Sequence, residues 1–94
     1  MEIEFDPAKD ASNVEKHRMS LAAGADMDLD KALVREDARF DYGEARYTAI
    51  GPVDDRLCVM CFTMREAVLR VISIRRANAR ERRRYEANQG TEKG

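Results

Sequence analysis

The sequence predicts an α+β domain in which a short strand and two helices precede a meander of strands and a final helix. Three observations predict this class. Residues 6–18 combine a helix start signal with apolar residues at helical spacing. Residues 45–75 contain three alternating or β-branched runs separated by short turns. Residues 78–88 are rich in Ala, Glu and Arg, which suit a helix.

The N-terminal elements follow from local signals. Residues 3–5 predict a short strand. Asp6 and Pro7 then begin a helix, because Asp is a favoured N-cap and Pro suits the first helical position. This helix is predicted to end near His17, and Ser20 is the candidate N-cap of a second, shorter helix. Gly24 weakens that second helix by about 1 kcal/mol relative to Ala.

The strands and the last helix are predicted from alternation and turn residues. Strands are expected at residues 33–36, 45–51, 57–63 and 68–75, with turns at 51–55 and 64–67. The third of these strands is the most hydrophobic and is therefore expected in the centre of the sheet. Asn78, followed three residues later by Glu81, predicts a capping box at the start of the final helix.

Length and composition indicate one small domain. The chain has 94 residues, and we expect a single domain over residues 1–89 with a flexible tail over residues 90–94. The sequence contains no apolar run long enough to span a membrane and no signal-peptide pattern at its N-terminus. We therefore expect a cytoplasmic protein that makes no contact with a membrane.

Charge is distributed unevenly along the chain. Residues 1–55 hold 14 acidic and 7 basic residues, whereas residues 56–94 hold 4 acidic and 10 basic residues. Seven of these bases are arginines within residues 70–85. This asymmetry predicts a basic surface that faces nucleic acid or an acidic partner, although pairing of the two halves with each other would also satisfy it.

The two cysteines predict neither a metal site nor a disulfide. Cys58 and Cys61 lie in a predicted strand, where residues three apart point to opposite faces. The chain has one His and no further Cys to complete a zinc site. We therefore expect two packing residues in a reducing compartment, and we expect no metal and no other cofactor.

A set of short motifs occurs in order and covers nearly the whole chain. They are Phe5-Asp6-Pro7-x-Lys9, Asn13-x-x-Lys16-His17, Glu44-x-Arg46, Arg70-Val-Ile-Ser-x-Arg75-Arg76-Ala77, Glu81-Arg82 and Tyr85. Together they resemble the BrnT family, the ribonuclease toxins of a type II toxin–antitoxin system. The sequence departs from the family pattern at a few positions. It has Arg18 and Phe5 where the family usually has Gly and Trp, Leu21 for an aromatic residue and Ile74 for a small one.

The resemblance implies a fold, an activity and a partner. The expected fold is RelE-like. The expected activity is endonucleolytic cleavage of RNA, which inhibits translation. The expected partner is a BrnA-like antitoxin with a ribbon-helix-helix domain, forming a two-to-two complex. Contact with operator DNA is then expected only through the antitoxin.

Cleavage of RNA by its own 2′-oxygen requires a base, an acid and positive charge at the phosphorane, but no metal. Arg46, Arg70 and Arg75 are the expected phosphate-binding residues, because guanidinium binds phosphate bidentately. Arg70 and Arg75 lie in a strand, so each is expected to pair with a carboxylate or an anionic ligand. His17 and Glu44 are the candidates for proton transfer. The alternatives are a structural His17 and a Glu44 that pairs with Arg46 or Arg70.

Three further residues are candidate RNA contacts. Lys16 and Arg76 are expected to reach backbone phosphates, and Tyr85 stacks on a base or packs on the sheet. The arginine-rich helix is otherwise expected to be a solvated face. Two other classes of function use the same residues without catalysis, namely a nucleic-acid-binding module and a protein-interaction domain with a basic helix.

Overall fold

The first strand and helix form where the sequence predicts them. A computed structural model describes residues 2–39 and 41–93, with side chains described up to residue 89. Strand β1 is Ile3–Glu4, and helix α1 is Pro7–His17. The side chain of Asp6 accepts a hydrogen bond of 2.8 Å from the backbone N–H of Ala8, which confirms the predicted N-cap.

Helix α1 ends in a left-handed residue. Arg18 has a φ of 60°, and its backbone N–H donates to the carbonyl oxygen of Val14. Glycine is the usual residue at this position of a helix end, because it adopts positive φ without steric cost. Arg18 therefore adopts the backbone conformation that suits the glycine of the family pattern, at a cost in stability.

Replacing Arg18 with glycine is expected to stabilise the protein by about 0.5–1 kcal/mol, since the left-handed conformation disfavours residues with a Cβ atom. Urea denaturation measures this change as a higher transition midpoint with an unchanged slope. Arg18→Ala, which removes the same side chain but keeps the Cβ atom, is the matched control and is expected to give no gain. A lower midpoint for Arg18→Gly would show that contacts of the Arg18 side chain stabilise the protein by more than its left-handed backbone conformation destabilises it.

The predicted second helix is a short 3-10 helix, Leu21–Asp26. Ser20 caps it as predicted, with its side-chain oxygen 3.1 Å from the backbone N of Ala22. Gly24 is buried against the sheet, and a Cβ atom at this position would lie 2.8 Å from a methyl group of Val71. Glycine therefore lets the 3-10 helix pack closely against the sheet. This packing explains why a residue of low helix propensity lies at position 24.

Five strands form one mixed sheet in the order β1-β5-β4-β3-β2. Strands β2 to β5 pair antiparallel, and β1 pairs parallel with β5. The bounds are Leu33–Asp37 for β2, Arg46–Val53 for β3, Arg56–Arg65 for β4 and Val68–Arg76 for β5. The α+β class and the central position of β4 are confirmed.

Two predicted turns are shorter than expected. Gly51, Pro52 and Val53 belong to β3 rather than to a turn, and β4 continues through Arg65. Proline lacks the N–H that a central strand needs, but the pairing of β2 with β3 ends at Ile50, before Pro52 is reached. The ladder between β3 and β4 therefore extends by two residues beyond the prediction.

Strand β5 contains a bulge. Cys61 of β4 pairs with Ser73, but the next residue of β4, Phe62, pairs with Val71. Ile72 is thus an extra residue in β5, and it shifts the alternation of side chains between the two halves of the strand.

The main core lies between the sheet and the N-terminal helices. Its buried side chains are Leu21, Met27, Ala49, Val53, Cys58, Met60, Phe62, Leu69, Val71 and Ile74. Asn13 connects α1 to this core. Its side-chain amide donates to the carbonyl oxygens of Ile74 and Met19, each at 2.8 Å, and accepts from the N–H of Ile74 at 3.2 Å. This amide therefore satisfies backbone groups at the outer edge of β5, where β1 no longer pairs.

Helix α2, Ala79–Lys93, packs on the other face of the sheet. The predicted capping box is confirmed: Asn78 Oδ1 accepts from the N–H of Glu81 at 2.8 Å, and a Glu81 carboxylate oxygen accepts from the N–H of Asn78 at 2.9 Å. The helix continues four residues into the segment predicted as a flexible tail. The last residue of that tail, Gly94, lies outside the described residues.

Candidate functional site

The face of the sheet opposite the main core carries three rows of side chains that run across the strands. The strand register defines them. The apolar row is Leu33, Ile50 and Val59, with Arg75 at its end. The polar row is Arg35, Thr48, Cys61 and Ser73. The charged row is Asp37, Arg46, Thr63 and Arg70. Residues two apart on one strand share a face, which places Arg46 beside Thr48 and Thr63 beside Cys61.

The bulge brings Arg70 and Arg75 to this same face. The two residues are five apart, so regular alternation would place them on opposite faces. Arg70 pairs with Thr63 and Arg75 pairs with Val59, which are four apart on β4 and share a face. The extra residue Ile72 accounts for the difference.

Helix α2 covers the apolar row and leaves the polar row open. Tyr85 packs against the cluster of Ile50, Val59 and Ala77, and its hydroxyl donates to the carbonyl oxygen of Lys31 at 2.9 Å. An open depression of about 470 Å³ remains beside the helix, and we call it the groove. The residues that line it include Arg35, Asp37, Arg39, Thr48, Cys61, Ser73, Arg75, Glu81 and Arg84.

Arg75 is held in the groove by Glu81. Its two terminal nitrogens lie 2.8 and 2.7 Å from the two Glu81 carboxylate oxygens, and Nη1 also donates to the carbonyl oxygen of Arg76 at 3.2 Å. Hydrogen bonding between the pair raises the pKa of Arg75 and lowers the pKa of Glu81. Guanidinium has five N–H donors. Nε–H and one Nη2–H therefore have no partner among the described residues, and they are available to an anion.

Arg46 is close to the groove and is not paired with the carboxylate opposite it. Asp37 instead accepts from Arg39 at 2.9 and 3.0 Å and from the Tyr42 hydroxyl at 3.3 Å. The bonds from Arg39 lower the pKa of Asp37 to about 2. The Arg46 guanidinium lies 4.0 Å from the centre of the Tyr42 ring. Its Nε is buried without a hydrogen-bond partner in the described part of the chain, and the cation stacks on the ring.

Arg70 occupies the far end of the charged row. Its Nη1 lies 3.6 Å from the Glu4 carboxylate, its neighbour across the parallel β1–β5 pair. Both strand arginines thus have the carboxylate partner that the sequence predicts as one of two possibilities, Glu4 for Arg70 and Glu81 for Arg75. Arg70 is among the described residues that do not line the groove.

The remaining candidates lie apart from the groove. Glu44 pairs with Arg65 at 3.4 Å, rather than with Arg46 or Arg70. Lys16 and His17 are exposed at the end of α1. Arg76 points to the opposite side of the sheet, where it lines a second cleft. Arg46, Arg70 and Arg75 therefore share one face of the sheet, and of these three described arginines only Arg75 lines the groove.

Four groove residues are not among the candidates predicted from the sequence, namely Arg35, Thr48, Ser73 and Arg84. Ser73 lies within a family motif and Arg84 within the arginine-rich helix, whereas nothing in the local sequence distinguishes Arg35 from an ordinary surface residue. Alternation in the predicted strand 45–51 places Thr48 beside Arg46, which is the one signal that could have found it. The two thiols do point to opposite faces: Cys58 lies in the main core, and Cys61 lies on the groove floor.

Among the residues described, no three His, Cys, Asp or Glu side chains form a group that could hold a metal ion. Within the described ranges, no helix has both the length and the apolar character needed to cross a bilayer.

Comparison with known proteins supplies the family. The family model described as "Ribonuclease toxin, BrnT, of type II toxin-antitoxin system" matches residues 5–81. The chain belongs to the BrnT family. The matched segment runs from the end of β1 to the capping box, so it includes every strand of the groove and the pair formed by Arg75 and Glu81.

A solved BrnT structure has the same fold. The crystal structure of the ribonuclease toxin BrnT from Brucella abortus, determined at 1.1 Å resolution, superposes with a TM-score of 0.66 at 27% sequence identity. The match covers 83% of this chain and 97% of the Brucella chain. The search of curated proteins found no match.

Proposed function

We propose that this BrnT family member is a metal-independent endoribonuclease whose active site is the groove. The observation that carries the proposal is the arrangement of arginines on the open sheet face. Arg75 lines the groove and has two N–H donors without a partner among the described residues, Arg46 lies on the same face two rows away, and Arg35 and Arg84 also line the groove. Guanidinium groups at fixed positions suit the binding of a phosphodiester and the charge that develops on it during cleavage.

The proposed reaction is attack by the ribose 2′-oxygen on the adjacent phosphorus. A bond forms between that oxygen and phosphorus, and the bond from phosphorus to the 5′-oxygen breaks. The 2′-hydroxyl loses its proton and the leaving 5′-oxygen gains one, so the products are a cyclic phosphate and a 5′-hydroxyl. Arg75 and Arg46 stabilise the extra negative charge of the phosphorane. Arg70, beside Glu4, extends the positive charge along the sheet.

The proposed reaction also needs a base for the 2′-hydroxyl and an acid for the leaving 5′-oxygen. His17 and Glu44 are the proposed acid–base residues, and neither lines the groove. Of the three carboxylates that line it, Asp37 is engaged by Arg39 and Glu81 by Arg75, whereas Glu36 has no ion pair among the described residues and by strand alternation belongs to the opposite face of β2 from Asp37. We therefore infer that positioning and charge stabilisation by the arginines supply most of the rate enhancement, as in the RelE-like toxins that the family resembles.

Purified protein is expected to cleave total RNA equally well with and without EDTA, because no step of the proposed reaction uses a metal. The assay follows fluorescent RNA on denaturing gels. RNA with 2′-O-methyl groups is the matched control substrate, and it is expected to remain intact since it lacks the attacking hydroxyl. Cleavage that EDTA abolishes and Mg²⁺ restores would contradict metal independence. Cleavage of the methylated RNA would contradict attack by the 2′-oxygen.

The type II toxin–antitoxin family implies an antitoxin partner. We propose a BrnA-like antitoxin with a ribbon-helix-helix domain, bound in a two-to-two complex that covers the groove and alone contacts operator DNA. Adding it to the cleavage assay should stop cleavage. Free toxin would act in the cytoplasm and inhibit translation by cleaving RNA. A partner that binds while cleavage continues would place the antitoxin surface elsewhere on the protein.

A non-catalytic RNA-binding module is the second candidate function. One observation favours it: His17 and Glu44 lie outside the groove. A phosphate bound in the groove would therefore have neither of these acid–base candidates beside it. The same assay decides between the two. Retention of RNA by the wild-type protein without any cleavage would favour the binding module.

A further inference from the structure

A shallow hollow lies between α1 and the outer edge of β5. Its volume is about 240 Å³. It is lined by Lys9, Ser12, Asn13, Lys16 and His17 of α1 and by Ile72 and Ser73 of β5. Ser73 also lines the groove. The hollow and the groove therefore meet at Ser73, where the sheet ends.

The hollow carries positive charge that is not neutralised locally. Lys9 and Lys16 are both exposed and lie two helical turns apart on α1. Neither forms an ion pair with any residue the structure describes. No Asp or Glu of the described ranges lines the hollow. The groove contains carboxylates that engage part of its positive charge, so the hollow differs from it in having cations alone.

The charge of the hollow also reaches the groove floor. Burial raises the pKa of the Cys61 thiol, and the positive charges of Arg46, Arg39 and Lys9 act in the opposite direction. The contribution of Lys9 is the smallest of these, and the negative charge of Asp37 opposes it. A polyanion in the groove would experience the same attraction towards α1.

We propose that the hollow binds backbone phosphates of the same RNA strand whose scissile phosphate lies in the groove. Lys9 and Lys16 contact phosphates of nucleotides that flank the cleavage site, and the strand crosses the sheet edge at Ser73. The inference rests on the proposed function and extends it by naming the path of the substrate. Single-stranded nucleic acid is commonly held in this way, by a track of cations that follows the backbone without reading its sequence.

The test compares two oligonucleotide lengths. A 2′-O-methyl RNA of about three nucleotides fills the groove alone, and one of about nine nucleotides also reaches α1. Neither is cleaved, so equilibrium binding can be measured by fluorescence anisotropy at several salt concentrations. The variant is Lys9→Gln with Lys16→Gln. The matched control is Lys31→Gln with Arg56→Gln, which removes the same charge from exposed positions outside both the groove and the hollow.

The double variant is expected to bind the longer RNA about tenfold more weakly and to bind the shorter RNA as the wild type does. For the longer RNA, the slope of log K against log salt concentration should become shallower by about 1.4, because each phosphate contact with a single strand contributes about 0.7 to that slope. An equal loss for both lengths, or a loss no larger than in the control pair, would overturn the path across Ser73. A wild-type protein that binds neither RNA and cleaves none would instead refute the proposed function itself.

Discussion

Replacing Arg75 with alanine is expected to lower the rate of RNA cleavage by about a hundredfold or more. The orientation of Arg75 in the groove is fixed, because Glu81 holds two of its nitrogens and is itself held by the helix cap at Asn78. Removing one preorganised donor from a site that stabilises developing negative charge typically costs a factor of 10²–10³, or roughly 3–4 kcal/mol. Single-turnover cleavage of a labelled RNA measures the loss.

Arg83→Ala is the matched control for this prediction. Arg83 is exposed on α2 and does not line the groove as far as the chain is described, so the change removes the same charge from a solvated position. Arg75→Lys keeps the charge but not the planar fork, and it is expected to retain only part of the activity. Circular dichroism must show that all three variants are folded. An Arg83 variant as impaired as the Arg75 variant would place the active site elsewhere.

Replacing Asn13 with alanine is expected to destabilise the protein by about 3 kcal/mol or more. Asn13 is 5% exposed, and its amide makes three hydrogen bonds to backbone groups of Ile74 and Met19. Loss of the amide leaves these groups without a partner beside a fully buried residue, and each such group costs about 1–3 kcal/mol. Urea denaturation measures the free energy of unfolding.

Two further variants separate the amide from the helix that carries it. Ser12→Ala changes an exposed neighbour on α1 and is expected to alter stability by less than about 0.5 kcal/mol. Asn13→Asp keeps an acceptor for the N–H of Ile74 but loses both donors, so it should be as harmful as the alanine change. An Asn13→Ala protein that loses under about 1 kcal/mol would show that water replaces the amide at the edge of β5.

Elements with short-range signals were predicted well. The N-caps at Asp6 and Ser20 and the capping box of Asn78 and Glu81 depend on residues two or three apart, so the sequence alone specifies them. The turn predicted at residues 51–55 was wrong in its first half, because Gly and Pro are turn residues only where the chain is free to turn. In the folded protein Pro52 lies past the end of β2, and Gly51 lies in close contact with Ala32.

The candidate site was less predictable because it depends on long-range register. Arg70 and Arg75 share a face only through the bulge at Ile72, and the bulge is set by pairing with β4 rather than by a local motif. Arg84 enters the groove only because α2 folds back over the sheet. The motifs of the family resemblance contain Arg46, Arg70, Ser73 and Arg75, whereas the position of Arg35 beside them required the strand register.

The amide of Asn13 has a consequence for self-association. Unpaired strand edges are where chains join into larger sheets. Along the described chain, one edge ends in the two-residue strand β1, and beyond it Asn13 occupies the N–H and the carbonyl of Ile74 in β5. Among the strands that the structure describes, only β2 offers a full-length free edge, so edge-to-edge association through β2 joins two copies and does not propagate into a fibre. Loss of the Asn13 amide would leave each molecule with a second unpaired strand edge, and two such edges would allow copies to polymerise.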